Sequence, residues 1–215
     1  MIKIGIAIGI LVTAALLMKK KDMSYRQSIL KTMYPVIMWS GKAAGKKQTL
    51  INKDQVRPSA SFYALQSLDI NGKAFDIASL KGKKVLIVNT ASDCGFTGQY
   101  EALEKLSKQY EGKLVVIGFP ANDFKGQEKA DEKNIASFCQ KNYGVSFVMA
   151  EKVSVKGTDI HPLFKWLTSK AENGVMDAEI KWNFTKFLLD EKGNLLAVFP
   201  SKVKPMGEEI TAYLK

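Results

Sequence analysis

With two cysteines and a single histidine among 215 residues, the chain is poor in the soft ligands that most metal chemistry requires. Cys94, Cys139 and His161 fall short of the four ligands that close a structural zinc site. Two cysteines are also too few for a disulfide scaffold, and no metal or cofactor is expected. Taken alone, Cys94 reads equally well as a small buried hydrophobe or as a redox or nucleophilic group, while Cys139 reads more readily as a buried hydrophobe. Long hydrophobic runs are scarce too. The longest, Ile4 to Met18, has 15 residues and reaches about 22 Å as a helix, against a hydrocarbon core of about 30 Å. Acidic residues are nearly missing from the first quarter. Residues 1–57 hold 11 Lys and Arg against 2 acids, whereas residues 58–215 hold 21 against 19. The basic excess thus lies outside the domain-like part, which excludes a basic stripe on a folded nucleic-acid-binding surface.

What is present organises the chain into three parts. Residues 1–22 are read as an uncleaved N-terminal membrane-anchor helix, because the heavier charge (Lys19, Lys20, Lys21) follows the apolar run and no small-residue cleavage site ends it. Snorkelling lysines at both ends extend its reach, and their position places the following domain on the cytoplasmic side. Residues 23–57 are read as a basic juxtamembrane segment and linker. Ile29, Leu30, Met33, Tyr34, Val36, Ile37, Met38 and Trp39 suit a helix lying in the membrane interface, with a helix packed on the domain as the alternative. Residues 58–215 carry the pattern of a compact α/β domain. Strands are expected over Ser61 to Leu68, Lys84 to Thr90, Leu114 to Phe119, Val145 to Met149, Val153 to Val155, Phe184 to Leu189 and Leu195 to Phe199. Helices are expected around Tyr100 to Tyr110, over Asp131 to Lys141, after His161-Pro162 and over Pro205 to Leu214. Strand, helix, strand in succession implies a parallel pair with a right-handed crossover, and the final hairpin makes the sheet mixed.

Val85 to Tyr100 runs from buried strand through a small polar loop into a helix, with Cys94 at the turn. A thiol placed before a helix faces N–H donors that favour its thiolate. This strand-loop-helix resembles the thioredoxin arrangement, with Thr97 where thioredoxins carry their second cysteine. Three further stretches sharpen the likeness. Asn89-Thr-Ala-Ser-Asp-Cys-Gly-Phe-Thr97, Gly118-Phe-Pro-Ala-Asn-Asp-Phe-Lys-Gly-Gln-Glu128 and Trp182-Asn-Phe-Thr-Lys-Phe187 match, in order, the signatures of the glutathione peroxidases. Phe138-Cys-Gln-Lys-Asn-Tyr-Gly144 and His161-Pro-Leu-Phe164 match as well, so the resemblance covers roughly Ser61 to Leu214. Departures fall at Ala121, Asp123, Lys129 and Val148, where relatives often carry Cys, Gln, Pro and Pro.

The resemblance implies a thioredoxin-like fold, a mixed central sheet flanked by helices. It implies Cys94 as the peroxidatic nucleophile, with Gln127, Trp182 and Asn183 completing the site and Cys139 as the resolving cysteine. The implied activity is reduction of hydrogen peroxide and organic or lipid hydroperoxides through a Cys94 sulfenic acid. Thioredoxin, or glutathione, would recycle it, and the short stretch between Leu167 and Lys181 points to a monomer. A redox sensor or relay that passes oxidation from Cys94 to a partner protein uses the same cysteines and stays open at this point. His161 is read as a helix-start residue, and Phe164 and Trp166 as core.

Overall fold

The computed structural model describes residues 23–40, 49–52, 58 and 60–215. The apolar run assigned to a membrane anchor lies outside the described residues, and among the described ones no helix is long and apolar enough to cross a membrane. The first described element is helix α1, Tyr25–Ser40. Short strands β1 (Leu50–Ile51), β2 (Ser67–Leu68) and β3 (Ala74–Phe75) follow, with 3-10 turns at Phe62–Ala64 and Ile77–Leu80. The central unit is β4 (Lys84–Thr90), α2 (Gln99–Gln109) and β5 (Leu114–Pro120). After it come α3 (Glu132–Tyr143), β6 (Val148–Met149), α4 (Pro162–Thr168) and α5 (Lys170–Asn173). The hairpin β7 (Lys186–Leu189) and β8 (Leu195–Phe199) and the single-turn α6 (Glu208–Thr211) complete the order.

Strands β1, β8, β7, β4, β5 and β6 form one sheet in that order, with β4 parallel to β5 and antiparallel to β7. The mixed sheet expected from the sequence is therefore present. Successive residues of a strand face opposite sides, and β4 shows it: Leu86 and Val88 join one apolar cluster, Val85 and Ile87 the other. Both faces are covered, which is why this strand reads as a continuous apolar run. Leu103 and Leu106 of α2, Ile135 and Phe138 of α3 and Ile210 of α6 cover the first face. Phe164, Trp166 and Leu167 of α4, with Phe62, Ile77 and Leu80 from the 3-10 turns, cover the second. Full burial of one such side chain contributes roughly 1.5–3 kcal/mol, so the sheet is a rigid platform for what its strand ends carry.

Several expectations need correction. The segment beginning at Met23 is not an interface helix: Met23 and Met38 are buried, and α1 packs on the domain, the alternative reading. Nor does the folded unit begin at residue 58, because Leu50 pairs with Val198 across the sheet edge. Ser61 to Leu68 holds a 3-10 turn at Phe62–Ala64, started by Ser61 accepting the Tyr63 N–H, with only Ser67–Leu68 in a strand. Of the strand expected over Val145 to Met149, only Val148–Met149 forms. Val153 to Val155 forms none; the Val155 N–H is taken by Asp123 and the Val153 N–H by the Pro120 carbonyl. The last helix contracts to Glu208–Thr211, since the Pro205 region is spent in turns. His161 does start its helix, accepting the Leu163 N–H on Nδ1 at 3.2 Å.

Candidate active site

Cys94 sits in the connection from β4 to α2, wholly buried at 0% exposure. Thr97 shapes this turn. Its hydroxyl oxygen accepts the Cys94 N–H at 3.1 Å and donates back toward the Ala91 carbonyl at 3.1 Å, and its N–H bonds the Cys94 carbonyl. The residue that stands in place of a second thiol therefore fixes the backbone that carries the first. The backbone donor on the sulfur is the Phe96 N–H at 3.4 Å, in the turn before α2 rather than within the first turn of the helix itself.

Two side chains also lie close enough to the sulfur to favour its charged form, those of Trp182 and Asn183. They come from the turn before β7, the strand next to β4, so sheet pairing brings residues far apart in sequence together. Phe184 adopts a left-handed backbone with φ of 65°, uncommon for an aromatic residue. Its N–H bonds the Asn89 carbonyl at 2.6 Å and its ring meets Tyr100 edge-on at 5.3 Å, contacts that hold the turn in place. Asn89 adds to the hold, its Oδ1 accepting the Thr185 N–H at 2.9 Å.

Gln127 is buried and its Oε1 accepts from Asn183 Nδ2 at 3.1 Å, so it reaches the cysteine through Asn183. Two left-handed residues, Lys125 and Gly126, turn the β5–α3 connection to present it. Trp182 is flanked by Phe124, with ring centroids 5.7 Å apart, and Lys125 Nζ stands 5.7 Å from its ring. Asp123 is spent on holding the Val155 N–H at 3.1 Å.

Burial pushes the Cys94 thiol above its ordinary range; the Phe96 hydrogen bond, the nearby Trp182 and Asn183 side chains and the Arg26 charge pull it down without overcoming that. The thiolate expected from the sequence is thus not the favoured form in this structure. Hydrogen-bond donors are visible in a motif, whereas the desolvation that opposes them is set by tertiary burial.

Cys139 lies on α3, free like Cys94 and 1% exposed. Burial, with Glu128 adding, drives its thiol up to about 12, although the Tyr100 hydroxyl beside it works in the opposite direction. Asp131 caps the start of α3 by accepting the Asn134 N–H, and Gly144 ends it in the left-handed conformation that glycine adopts without strain. Cys139 also lines a cleft of about 520 Å³ bordered by Phe75, Ala136, Phe147 and Met149.

One residue of the site was not singled out from sequence. Glu128 is a fully buried carboxyl whose Oε2 accepts the Ser92 N–H at 2.7 Å and whose Oε1 accepts the Ser92 hydroxyl, while its own N–H bonds Asn122. It ties the Cys94 turn to the loop bearing Gln127. Burial raises its pKa from 4.5 to about 7 against the pull of the Ser92 hydrogen bonds and Lys152, with Asp93 adding to the rise. A carboxyl raised in the folded state holds a proton that the unfolded chain has lost between those values, so stability falls as pH climbs through that window. Glu128→Gln should flatten this decline. Denaturant unfolding at acid and neutral pH should show the wild type losing on the order of 3 kcal/mol more than the variant.

Comparison with known proteins now bears on this geometry. A family model described as Glutathione peroxidase matches residues 62–168. The glutathione peroxidase-like peroxiredoxin GPX5 of Chlamydomonas reinhardtii is 48% identical over 145 residues, 67% of this chain and 89% of that protein. A glutathione peroxidase of Lactococcus lactis is 44% identical over 157 residues, covering 72% and 99% respectively. Among solved structures, GPX1 of T. cruzi superposes with a TM-score of 0.55 at 30% identity, over 72% of this chain and 93% of its own. Motif, fold and relatives agree, and the chain belongs to the glutathione peroxidase family.

Proposed function

We propose that this peroxidase reduces hydrogen peroxide and organic hydroperoxides with Cys94 as nucleophile, Cys139 as resolving thiol and a thioredoxin-like protein as reductant. The observation that carries the reading is the gathering of Asn183, bonded to Gln127, and of Trp182 around a buried Cys94 whose sulfur accepts the Phe96 N–H. Once deprotonated, the sulfur attacks the terminal peroxide oxygen. The O–O bond breaks, the sulfur becomes a sulfenic acid, and the leaving oxygen takes a proton to depart as water or an alcohol. The same polar side chains can stabilise the negative charge that develops on that oxygen, since fixed donors in a dry site do so at no cost of reorganisation. Attack by the Cys139 thiolate on the sulfenic sulfur then releases water and leaves a disulfide, which an external dithiol reduces by exchange.

The short stretch between Leu167 and Lys181 supports a monomer as the working unit. The apolar run from Ile4 to Met18, with lysines on both sides, supports a membrane tether that holds the domain at the cytoplasmic face. Retention of the full chain in membranes through an alkaline carbonate wash checks the tether. The activity itself is tested by NADPH consumption with thioredoxin and thioredoxin reductase. Turnover with hydrogen peroxide and with a lipid hydroperoxide is expected, and absence of both would overturn the reading.

A further inference from the structure

Helix α1 lies outside the residues matched by the family model, yet it packs against the turn that carries the peroxidatic cysteine. Both chain neighbours of Cys94 touch it. Arg26 Nε lies 3.2 Å from Asp93 Oδ2, and Ile37 Cδ1 stands 3.3 Å from where a Cβ on Gly95 would be. One turn further on, the Tyr34 ring rests so closely on Gly98 that a Cβ there would fall 2.4 Å from the ring. Met23, just before the helix, enters the same apolar cluster as Cys94. The helix also reaches the element bearing the second cysteine. Lys31 Nζ donates to the Asn142 carbonyl at 2.6 Å, sits 4.4 Å from the centre of the Tyr143 ring and pairs with Glu101 of α2.

Gly98 has an ordinary helical backbone, φ −59° and ψ −13°, so no torsional requirement calls for glycine there. What a side chain at 98 would meet is the base of Tyr34, atoms too near the α1 backbone to swing away. Glycines at 95 and 98 thus give α1 a flat seat beside the reactive turn. Few buried contacts hold the outer side of the helix: Tyr25 and Trp39 are 61% and 75% exposed. A single helix held on one face is the kind of unit that opens without global unfolding.

We propose that α1 is a specificity lid over Cys94, closed by Tyr34 on Gly98 and Ile37 on Gly95, which must lift before a bulky hydroperoxide or a protein thiol reaches the sulfur. It rests on the reading of Cys94 as the reactive thiol. Closed, the sulfur has no exposure, and small peroxide needs only a slight opening whereas a bulky reactant needs the helix displaced. Lifting the lid also hydrates the sulfur and removes part of the burial that keeps its thiol protonated.

The test uses the full chain and a readout independent of peroxidase activity. Cys94 is labelled with iodoacetamide and, separately, with a bulky maleimide, and the modified peptides are identified by mass spectrometry. Gly98→Ala and Tyr34→Ala should each raise labelling of Cys94 by the bulky reagent about tenfold, as expected for a tenfold larger open population. Tyr34→Phe, which keeps the ring, should stay closed. Buried Cys139 reports global loosening and should label no faster. In parallel, kcat/KM for a lipid hydroperoxide relative to hydrogen peroxide should rise in the two opening variants. Unchanged bulky labelling of Cys94, or equal acceleration at Cys139, overturns the lid. Labelling that rises in a chain with no turnover would leave the lid standing and remove the peroxidase reading instead.

Discussion

Replacing Cys94 by serine should lower peroxide consumption by at least about a thousandfold, the scale on which loss of an enzyme's nucleophile is felt. A serine hydroxyl in that position stays protonated, and its oxygen is a poor nucleophile toward a peroxide. The fold should survive. The Phe96, Trp182 and Asn183 donors that face the sulfur can face a hydroxyl oxygen, and the turn is held by Thr97 rather than by Cys94. Thermal unfolding close to that of the wild type, with NADPH consumption at background, is the expected pair of results. Retained turnover in a folded Cys94→Ser chain would show that the reactive thiol has been misassigned.

The placement of Cys94 at a strand-to-helix turn is legible because its signals are local. The β-branched run of β4, the loop residues and the cysteine stand together in sequence, and the sheet delivers them as read. Trp182, Asn183 and Gln127 stand out by resemblance to a family and not by periodicity. Their meeting depends on β7 pairing with β4 and on left-handed turns at Phe184 and Lys125, none of which a hydrophobic pattern encodes. Glu128 was missed as a separate participant for a related reason. In sequence it is one more surface-like acid, and only folding reveals that its carboxylate is sealed against Ser92.

The N-terminal helix shows the opposite failure. Its apolar residues were seen, but an apolar face does not name its partner, and the nearby lysines favoured a lipid surface. The decisive feature was the pair Gly95 and Gly98, which in the motif look like turn residues and in the fold form the seat for Ile37 and Tyr34. Recognition of complementary shapes requires both surfaces, and a sequence presents each alone.

Cys139→Ser should separate the two halves of the cycle. Peroxide attack needs only Cys94, so the variant should consume about one equivalent per chain in a single burst and then stall with thioredoxin, its sulfenic acid trappable by dimedone. Continued thioredoxin-driven cycling at the wild-type rate would rule Cys139 out as the resolving thiol. The geometry further predicts what limits resolution. Cys139 is buried inside a helix capped at both ends, and its thiol is held at about 12, so it attacks slowly from this position. Disulfide formation requires Cα atoms within about 7 Å and side chains aimed at each other, which calls for α3 to open locally if the folded geometry does not supply it. Weakening the cap tests the point. Asp131→Ala removes the bond to the Asn134 N–H, at about 1 kcal/mol, and should speed conversion of sulfenic acid to disulfide by about fivefold while leaving the initial burst unchanged. A resolution rate that ignores the cap would mean that Cys139 reaches the sulfenic acid with α3 intact, and the barrier would then lie in generating the Cys139 thiolate.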